Sequence, residues 1–173
     1  MKQKRVMPSP EMLEYLGENF RYDPETGDIL RVVFSTDNSG YKRVNGSIGS
    51  RVDKVKYSFA AHHVAWFLMT GEWPPVGMQI DHRNRKRGDN RWDNLRLVTP
   101  SQNSANRRAW GEVKKRGVTI VRQGNYVRYK ATIGTWPDVK MLGLFKTEDE
   151  AYEAYVAAAI EKYGEYASVH HED

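Results

Sequence analysis

Four residues between positions 81 and 103 have side chains suited to cutting a phosphodiester. They are Asp81, His82, Asn94 and Asn103. Hydrolysis of this bond needs a base that takes a proton from water, and a positive charge that offsets the negative charge on the phosphoryl and departing oxygens. The His82 imidazole can be the base, because histidine titrates near neutral pH. Asp81 and Asn103 offer the hard oxygen ligands that a divalent cation prefers. Taken alone, an Asp-His pair is more often explained by structural ion pairing.

The residues around these four predict two short strands joined by a charged loop. Residues 76–80 are strand-like, and residues 95–99 alternate in a way that favours a second strand pairing with the first. Adjacent strand residues point to opposite faces of a sheet, so the first strand must bend or end if Asp81 and His82 serve one phosphate. Residues 82–91 are too polar and charged to pack, and we expect a solvated loop.

A helix start follows the second strand. Thr99 can cap it, Pro100 suits the first helical position, and Gln102 completes a capping box. Asn103 is therefore expected in the first turn of that helix. The predicted unit is strand, loop, strand and helix.

The residues before this unit predict a helix, several short strands and a second, buried helix. The buried helix covers residues 60–69 and carries His62 and His63, for which packing or capping by one histidine, with the other exposed, is favoured over metal binding. The other expected elements are an amphipathic helix at 8–20, a turn at 22–28, a strand at 29–34, and two or three antiparallel strands within 41–60.

The C-terminal third has a different pattern. Residues 118–121, 126–133 and 139–145 read as three strands, and Thr147 to Glu150 forms a second capping box that opens a helix ended by Gly164. We therefore expect an α+β fold with three parts: a nuclease-type domain at 1–108 with its core at 60–108, a basic linker at 109–116, and a small three-stranded antiparallel sheet with one helix at 117–168.

The charge of the chain indicates a nucleic-acid partner. The net charge is +5, but residues 147–173 carry eight acidic residues and one basic residue, Lys162. The other 26 basic and 14 acidic residues leave a net charge of +12 in residues 1–146. A basic body of this kind usually meets nucleic acid or an anionic surface. There is no cysteine and no apolar run near 18 residues, so we expect no zinc–cysteine site, no membrane span and a reducing cytoplasm.

The stretch from Ile80 to Asn103, IDHRNRKRGDNRWDNLRLVTPSQN, resembles the HNH endonuclease family in its phage and intron homing branch. Residues 62–68, 70–74 and 22–27 resemble that branch too. The resemblance implies a ββα-metal fold in which His82 is the general base, Asp81 and Asn103 hold one divalent metal, and Asn94 braces the loop and orients the base. Mg²⁺ is the expected ion, with Mn²⁺ also supporting activity. Where relatives often have Asn-Gly-Asn, this chain has Asn84-Arg85-Lys86.

Residues 115–167 are similar to the plant Apetala or ethylene-response-factor type of DNA-binding domain, carried by Lys115 to Val118, Leu142 to Phe145 and Thr147 to Tyr155. This similarity implies a three-stranded sheet that lies in the major groove. From charge and position we expect ten cationic residues to contact DNA, some of them only at phosphates: Arg83, Arg85, Lys86, Arg87, Arg107, Arg108, Arg116, Arg122, Arg128 and Lys130.

Together these features predict a metal-dependent endonuclease that acts on double-stranded DNA as a monomer or weak dimer. The resemblance implies a phage-type or homing enzyme in the cytoplasm of a bacterial host. The alternative is a DNA-binding regulator with a relic nuclease domain, which the complete set of Asp81, His82, Asn94 and Asn103 disfavours. A protein acting on RNA is a weaker third reading, because a sheet cannot enter the deep, narrow major groove of A-form RNA.

Overall fold

The structure, a computed structural model, describes residues 7–30, 35–49, 55–107, 112–113 and 115–167. The chain divides into two compact units, residues 1–97 and residues 98–173. The described residues form small antiparallel sheets and four α-helices, which is consistent with the predicted α+β class. None of these helices is long and apolar enough to cross a membrane.

The first unit begins with a helix and a small hairpin and continues with a sheet, a helix and the first strands of the candidate site. Its elements are α1 (Pro10–Asn19), β1 (Arg21–Tyr22), β2 (Ile29–Leu30), β3 (Ser35–Thr36), β4 (Lys42–Ile48), β5 (Val55–Ala60), α2 (Ala61–Thr70), β6 (Gln79–His82), a 3₁₀ turn (Trp92–Asn94) and β7 (Leu95–Val98). β1 pairs with β2, β4 lies between β3 and β5, and β6 pairs with β7.

Apolar side chains of α1, α2 and the strands beside them form the main core of the first unit. Leu16, Val44 and Val64 are fully buried there. α1 begins at a Ser9 cap whose side chain accepts a hydrogen bond from the Met12 nitrogen, and α2 ends at Gly71, which adopts a left-handed conformation. Both helices were predicted. Of the strand expected at 29–34, residues 29 and 30 are confirmed and residues 31–34 lie outside the described part.

The second unit contains α3 (Pro100–Ala105), β8 (Val118–Gln123), β9 (Tyr126–Ile133), β10 (Lys140–Phe145), α4 (Glu148–Tyr163) and a 3₁₀ turn (Gly164–Tyr166). The sheet order is β10-β9-β8, so β9 is central. The helix α4 packs on one face of the sheet through Ala151, Tyr155 and Ala159. The predicted capping boxes at Thr99 and at Thr147 are both present.

The helix α3 belongs to the core of the second unit. Ala105 is 1 % exposed and packs in one cluster with Ile133, Tyr155 and Ala159. The division between the compact units therefore precedes α3. The predicted domain bounds, 1–108 and 117–168, stay a prediction. The predicted linker at 109–116 lies partly outside the described residues.

Candidate active site

Three buried apolar residues fix the two-stranded sheet against α2. Ala65 on α2, Ile80 on β6 and Leu95 on β7 form one cluster, with Tyr22 and the Trp66 ring packed beside it. The strand β6 extends through His82, two residues beyond the predicted 76–80 segment. Asp81 and His82 are therefore both strand residues, and both are buried, at 7 % and 4 % exposure.

Asp81 is held by a buried arginine on the neighbouring strand. The Nε and Nη2 atoms of Arg96 both lie 2.9 Å from Oδ2 of Asp81. Each side chain is 8 % exposed. An isolated buried carboxylate is costly, and a hydrogen-bonded cation of this geometry offsets that cost. Arg96 therefore fixes the orientation of the candidate metal ligand.

His82 makes a different contact, as expected for the next residue of a pleated strand. Its Nε2 atom lies 3.0 Å from the side-chain oxygen of Asn90. Burial lowers the pKa of His82 below the usual value for histidine, and the hydrogen bond to Asn90 acts in the opposite direction. The net lowering favours the neutral imidazole, which is the form that can take a proton from water.

Aromatic rings surround His82 on its other sides. The ring centroid of His62 lies 5.2 Å away and that of Tyr41 5.9 Å away. His62 is 6 % exposed, in agreement with the predicted packing role, while His63 is half-buried against Trp73 rather than exposed. These rings contribute to the burial of His82.

Asn94 connects the two ends of the loop that follows β6. Its side-chain oxygen accepts a hydrogen bond from the Asn84 backbone nitrogen at 2.9 Å, and its side-chain nitrogen donates to the Asp89 carbonyl at 2.7 Å. This is the position of a loop brace. Its assignment as a catalytic residue stays a prediction, and the side-chain oxygen that contacts His82 Nε2 belongs to Asn90.

The expectation that residues 82–91 form a wholly solvated loop is wrong. Asn90 is 1 % exposed, and Asp89 is held by the Asn84 side chain at 2.7 Å and by the Arg91 guanidinium at 2.7 and 2.8 Å. Hydrogen bonds from Arg91 keep the pKa of Asp89 below its usual range. Charged and amide side chains fold this loop by bonding to each other and to its backbone.

Arg85 lies in the loop with a left-handed backbone conformation. Its φ is +61°, the one positive value for a non-glycine residue in the described chain. This left-handed conformation costs a non-glycine residue roughly 1–2 kcal/mol. A strained backbone conformation at a cationic residue makes Arg85 a candidate for a functional role.

The cationic candidates near the loop differ in their surroundings. Arg83, Lys86 and Arg87 are exposed, and Arg87 donates to the Ser39 carbonyl at 2.7 Å while its guanidinium carbon lies 5.1 Å from the centre of the Tyr41 ring. Arg107, in the second unit, is exposed. Arg108 lies outside the described residues.

The cationic candidates of the C-terminal sheet separate into two groups. Ala131 and Ile133 on β9 are buried under α4. Because side chains alternate between the two faces of a strand, Arg128 and Lys130 lie on the face opposite α4. Arg122 shares the side of Val118 and pairs with Glu112 at 2.5 and 3.0 Å. Arg116 donates to the Tyr155 hydroxyl and to the carbonyls of Arg107 and Ser104.

The donor types at the end of β6 fit a catalytic magnesium ion. Among the described residues, no three or more His, Asp or Glu side chains come together as they would in a closed metal cage. Catalytic magnesium sites use one or two carboxylates and keep positions for water and substrate phosphate. Asp81 supplies one such carboxylate. Asn103 is half-buried on α3 in the second unit, and its role as the second ligand stays a prediction.

Sequence reasoning missed Arg96, Asn90 and Tyr22 as parts of this site. The sequence offered a signal for Arg96, because this residue alternates with Leu95 and Leu97 on a strand that was predicted to pair with the strand of Asp81. Asn90 had none, because a polar residue in a charged loop shows no periodicity. Tyr22 donates to the Asn90 carbonyl at 2.5 Å, a contact between residues 68 positions apart.

We predict that Arg96→Ala lowers the free energy of unfolding by about 3–5 kcal/mol, because the Asp81 carboxylate would stay buried without its cation. The matched control is Arg122→Ala, which removes an exposed ion pair and should cost less than about 1 kcal/mol. Urea denaturation followed by circular dichroism measures both. An equal decrease in the free energy of unfolding of the two variants would show that the buried pair contributes no more to stability than the exposed one.

The segment that carries this site matches a known protein family. Residues 59–105, which run from the end of β5 through α3, match the family model of the HNH endonucleases. The chain is 29 % identical over 130 residues to a protein of Acanthamoeba polyphaga mimivirus named as an uncharacterized HNH endonuclease, and the match covers 75 % of this chain and 67 % of the relative. No solved structure matches the chain significantly. Residues 59–105 are therefore similar to the HNH endonuclease domain, and the chain has a distant relative with the same family name.

Proposed function

We propose that this protein is a metal-dependent endonuclease that hydrolyses phosphodiester bonds in double-stranded DNA. The observation that carries the proposal is the pair of buried residues at the end of β6: the His82 imidazole, bonded to the Asn90 side chain, beside the Asp81 carboxylate, within the segment that matches the HNH endonuclease family. An ion pair alone would explain Asp81 and Arg96. Such an ion pair would not explain why the next residue, His82, is a histidine bonded to the buried amide of Asn90.

In the proposed reaction His82 takes a proton from a water molecule. The water oxygen forms a bond to phosphorus, and the bond from phosphorus to the 3′ oxygen breaks, which gives 5′-phosphate and 3′-hydroxyl ends. Asp81 and Asn103 would hold the divalent ion, for which we propose Mg²⁺, and the ion would offset charge on the phosphoryl and departing oxygens. Arg96 orients the Asp81 carboxylate, and Asn94 keeps the loop closed behind the base.

Two separate groups of cations support DNA as the substrate. The loop exposes Arg83, Lys86 and Arg87, and the sheet of the second unit carries Arg128 and Lys130 on the face that α4 leaves uncovered. The sheet face also exposes Tyr126. Contacts from such cations to phosphates supply affinity without reading sequence. An Apetala-type role for the sheet is part of this proposal, as are phage or homing use and action as a monomer or weak dimer.

We predict that His82→Ala lowers Mg²⁺-dependent nicking of plasmid DNA by at least about 100-fold and keeps DNA affinity, because only the base is lost. Asp81→Asn should also abolish cleavage. The matched control is Asp28→Asn, which neutralises an exposed carboxylate paired with Lys42 at 3.4 Å and should cleave normally. Gel assays with Mg²⁺, Mn²⁺ and EDTA measure activity.

Strong residual cutting by His82→Ala would remove His82 as the base. If the wild-type chain binds DNA tightly and yet cuts no substrate with any metal tested, that result would favour the DNA-binding regulator. Competition with duplex RNA tests the third reading, and effective competition would argue against a double-stranded DNA substrate.

We predict that Arg128→Ala reduces the slope of log affinity against log salt by about 1, as expected for one lost phosphate contact. Arg122→Ala should change the slope less, because Arg122 lies on the other side of the sheet and is already paired with Glu112. Fluorescence anisotropy over a salt series measures both variants. A larger effect at Arg122 would place the DNA on a different surface.

We predict that Arg85→Gly keeps the folded stability within about 1 kcal/mol, because relief of the left-handed strain offsets the greater freedom of glycine in the unfolded chain. The same change should weaken DNA binding and lower the salt slope by about 1. Lys56→Ala, an exposed lysine on β5, is the control for loss of one positive charge. Unchanged binding in Arg85→Gly would mean that the strained arginine does not face DNA.

A further inference from the structure

We propose that Asn90 is the positioning residue of His82, and that the hairpin formed by β1 and β2 holds Asn90 in place. In this arrangement the Asn90 side-chain oxygen keeps the imidazole in the tautomer protonated at Nε2, so that Nδ1 is the nitrogen that takes the proton. The role of this tautomer in catalysis rests on the proposed endonuclease function. The tautomer itself does not depend on that function, since it can be measured without substrate.

The first support is the contact itself. A neutral imidazole has one N–H and one lone pair, and the nitrogen that faces an acceptor must carry the proton. The Asn90 oxygen is an acceptor and lies 3.0 Å from Nε2. Both residues are buried, at 1 % and 4 % exposure, so water competes little for this bond.

The orientation of the Asn90 amide decides between two arrangements. With its oxygen toward His82, the amide nitrogen is buried and has no hydrogen-bond partner within the described part of the chain. With the amide reversed, its N–H would donate to Nε2, the proton would lie on Nδ1, and neither nitrogen could accept a proton from water. The arrangement in the structure is therefore the one that leaves His82 competent as a base.

The second support is the way in which the hairpin fixes the Asn90 backbone. The Tyr22 hydroxyl donates to the Asn90 carbonyl at 2.5 Å, and the Trp92 nitrogen donates to the Pro24 carbonyl at 2.8 Å. Burial raises the pKa of Tyr22, so the hydroxyl keeps the proton that it donates. These two bonds hold the chain on either side of Arg91.

Gly27 brings the hairpin turn directly against the loop. Its φ is +76°, and a Cβ added there would overlap the Arg91 nitrogen and the carbonyl carbon of Asn90. A side chain at this position would have to displace the loop backbone, because both obstructing atoms are main-chain atoms. The turn at residues 22–28, for which the sequence indicated no role, is thus the support on which the Asn90 backbone rests.

The direct test is nitrogen NMR of the full chain labelled with ¹⁵N-histidine, at a pH where His82 is neutral. We expect the Nε2-protonated tautomer in the wild type, a mixture of tautomers in Asn90→Leu, and recovery of the Nε2-protonated form in Asn90→Asp, which keeps an acceptor oxygen. The Nδ1-protonated tautomer in the wild type would overturn the proposal, even if Asn90→Leu failed to fold.

The hairpin is tested by a matched pair of glycine variants. Gly71 has the same φ of +76° but no atom within 4 Å of an added Cβ. Both Gly27→Ala and Gly71→Ala therefore introduce the same backbone strain, and only Gly27→Ala pushes on the loop. We expect kcat to fall about 10- to 100-fold in Gly27→Ala alone, with KM for DNA nearly unchanged, because a small displacement of the base impairs the reaction more than binding.

Equal effects of the two glycine variants on kcat would overturn the role of the hairpin. If the wild-type chain does not cleave DNA, the endonuclease proposal fails, and the tautomer and its shift in Gly27→Ala still decide the positioning proposal.

Discussion

The structure of the first unit depends on the burial of a carboxylate and an imidazole side by side at the end of β6. Neither group can be buried alone at low cost, because both lose their hydration. Asp81 obtains a cation from Arg96 on β7, and His82 obtains an acceptor from Asn90 in the loop. The chain must therefore leave β6, turn, return past His82 and pair β7 with β6.

The loop between these strands is folded by polar contacts instead of an apolar core. Amide side chains of Asn84 and Asn94 and the carboxylate of Asp89 bond to each other and to loop backbone groups. These residues supply hydrogen-bond partners within the loop, and Arg83 and Lys86 are exposed. A positively charged loop beside a buried histidine suits a substrate with a phosphate backbone.

In the second unit, several cations are used for internal structure. Arg116 is bonded to the Tyr155 hydroxyl and to two backbone carbonyls, and Lys115 pairs with Glu148 and Asp149. Position in sequence and charge alone could not separate these from Arg128 and Lys130 on the uncovered face of the sheet. The net positive charge of the chain thus overstates the number of cations that can meet a ligand.

The sequence by itself determined the α+β class, both capping boxes, both helices of the first unit and the strand-loop-strand-helix order around Asp81 and Asn103. These follow from local rules, namely periodicity, caps and turn residues, that act within a few positions of the chain. Only the tertiary structure decided that Arg96 pairs with Asp81, that Asn90 is buried against His82, and that Tyr22 and Gly27 support Asn90. Those contacts join residues 8 to 68 positions apart, and a side chain's partner at such separations is set by how the elements pack.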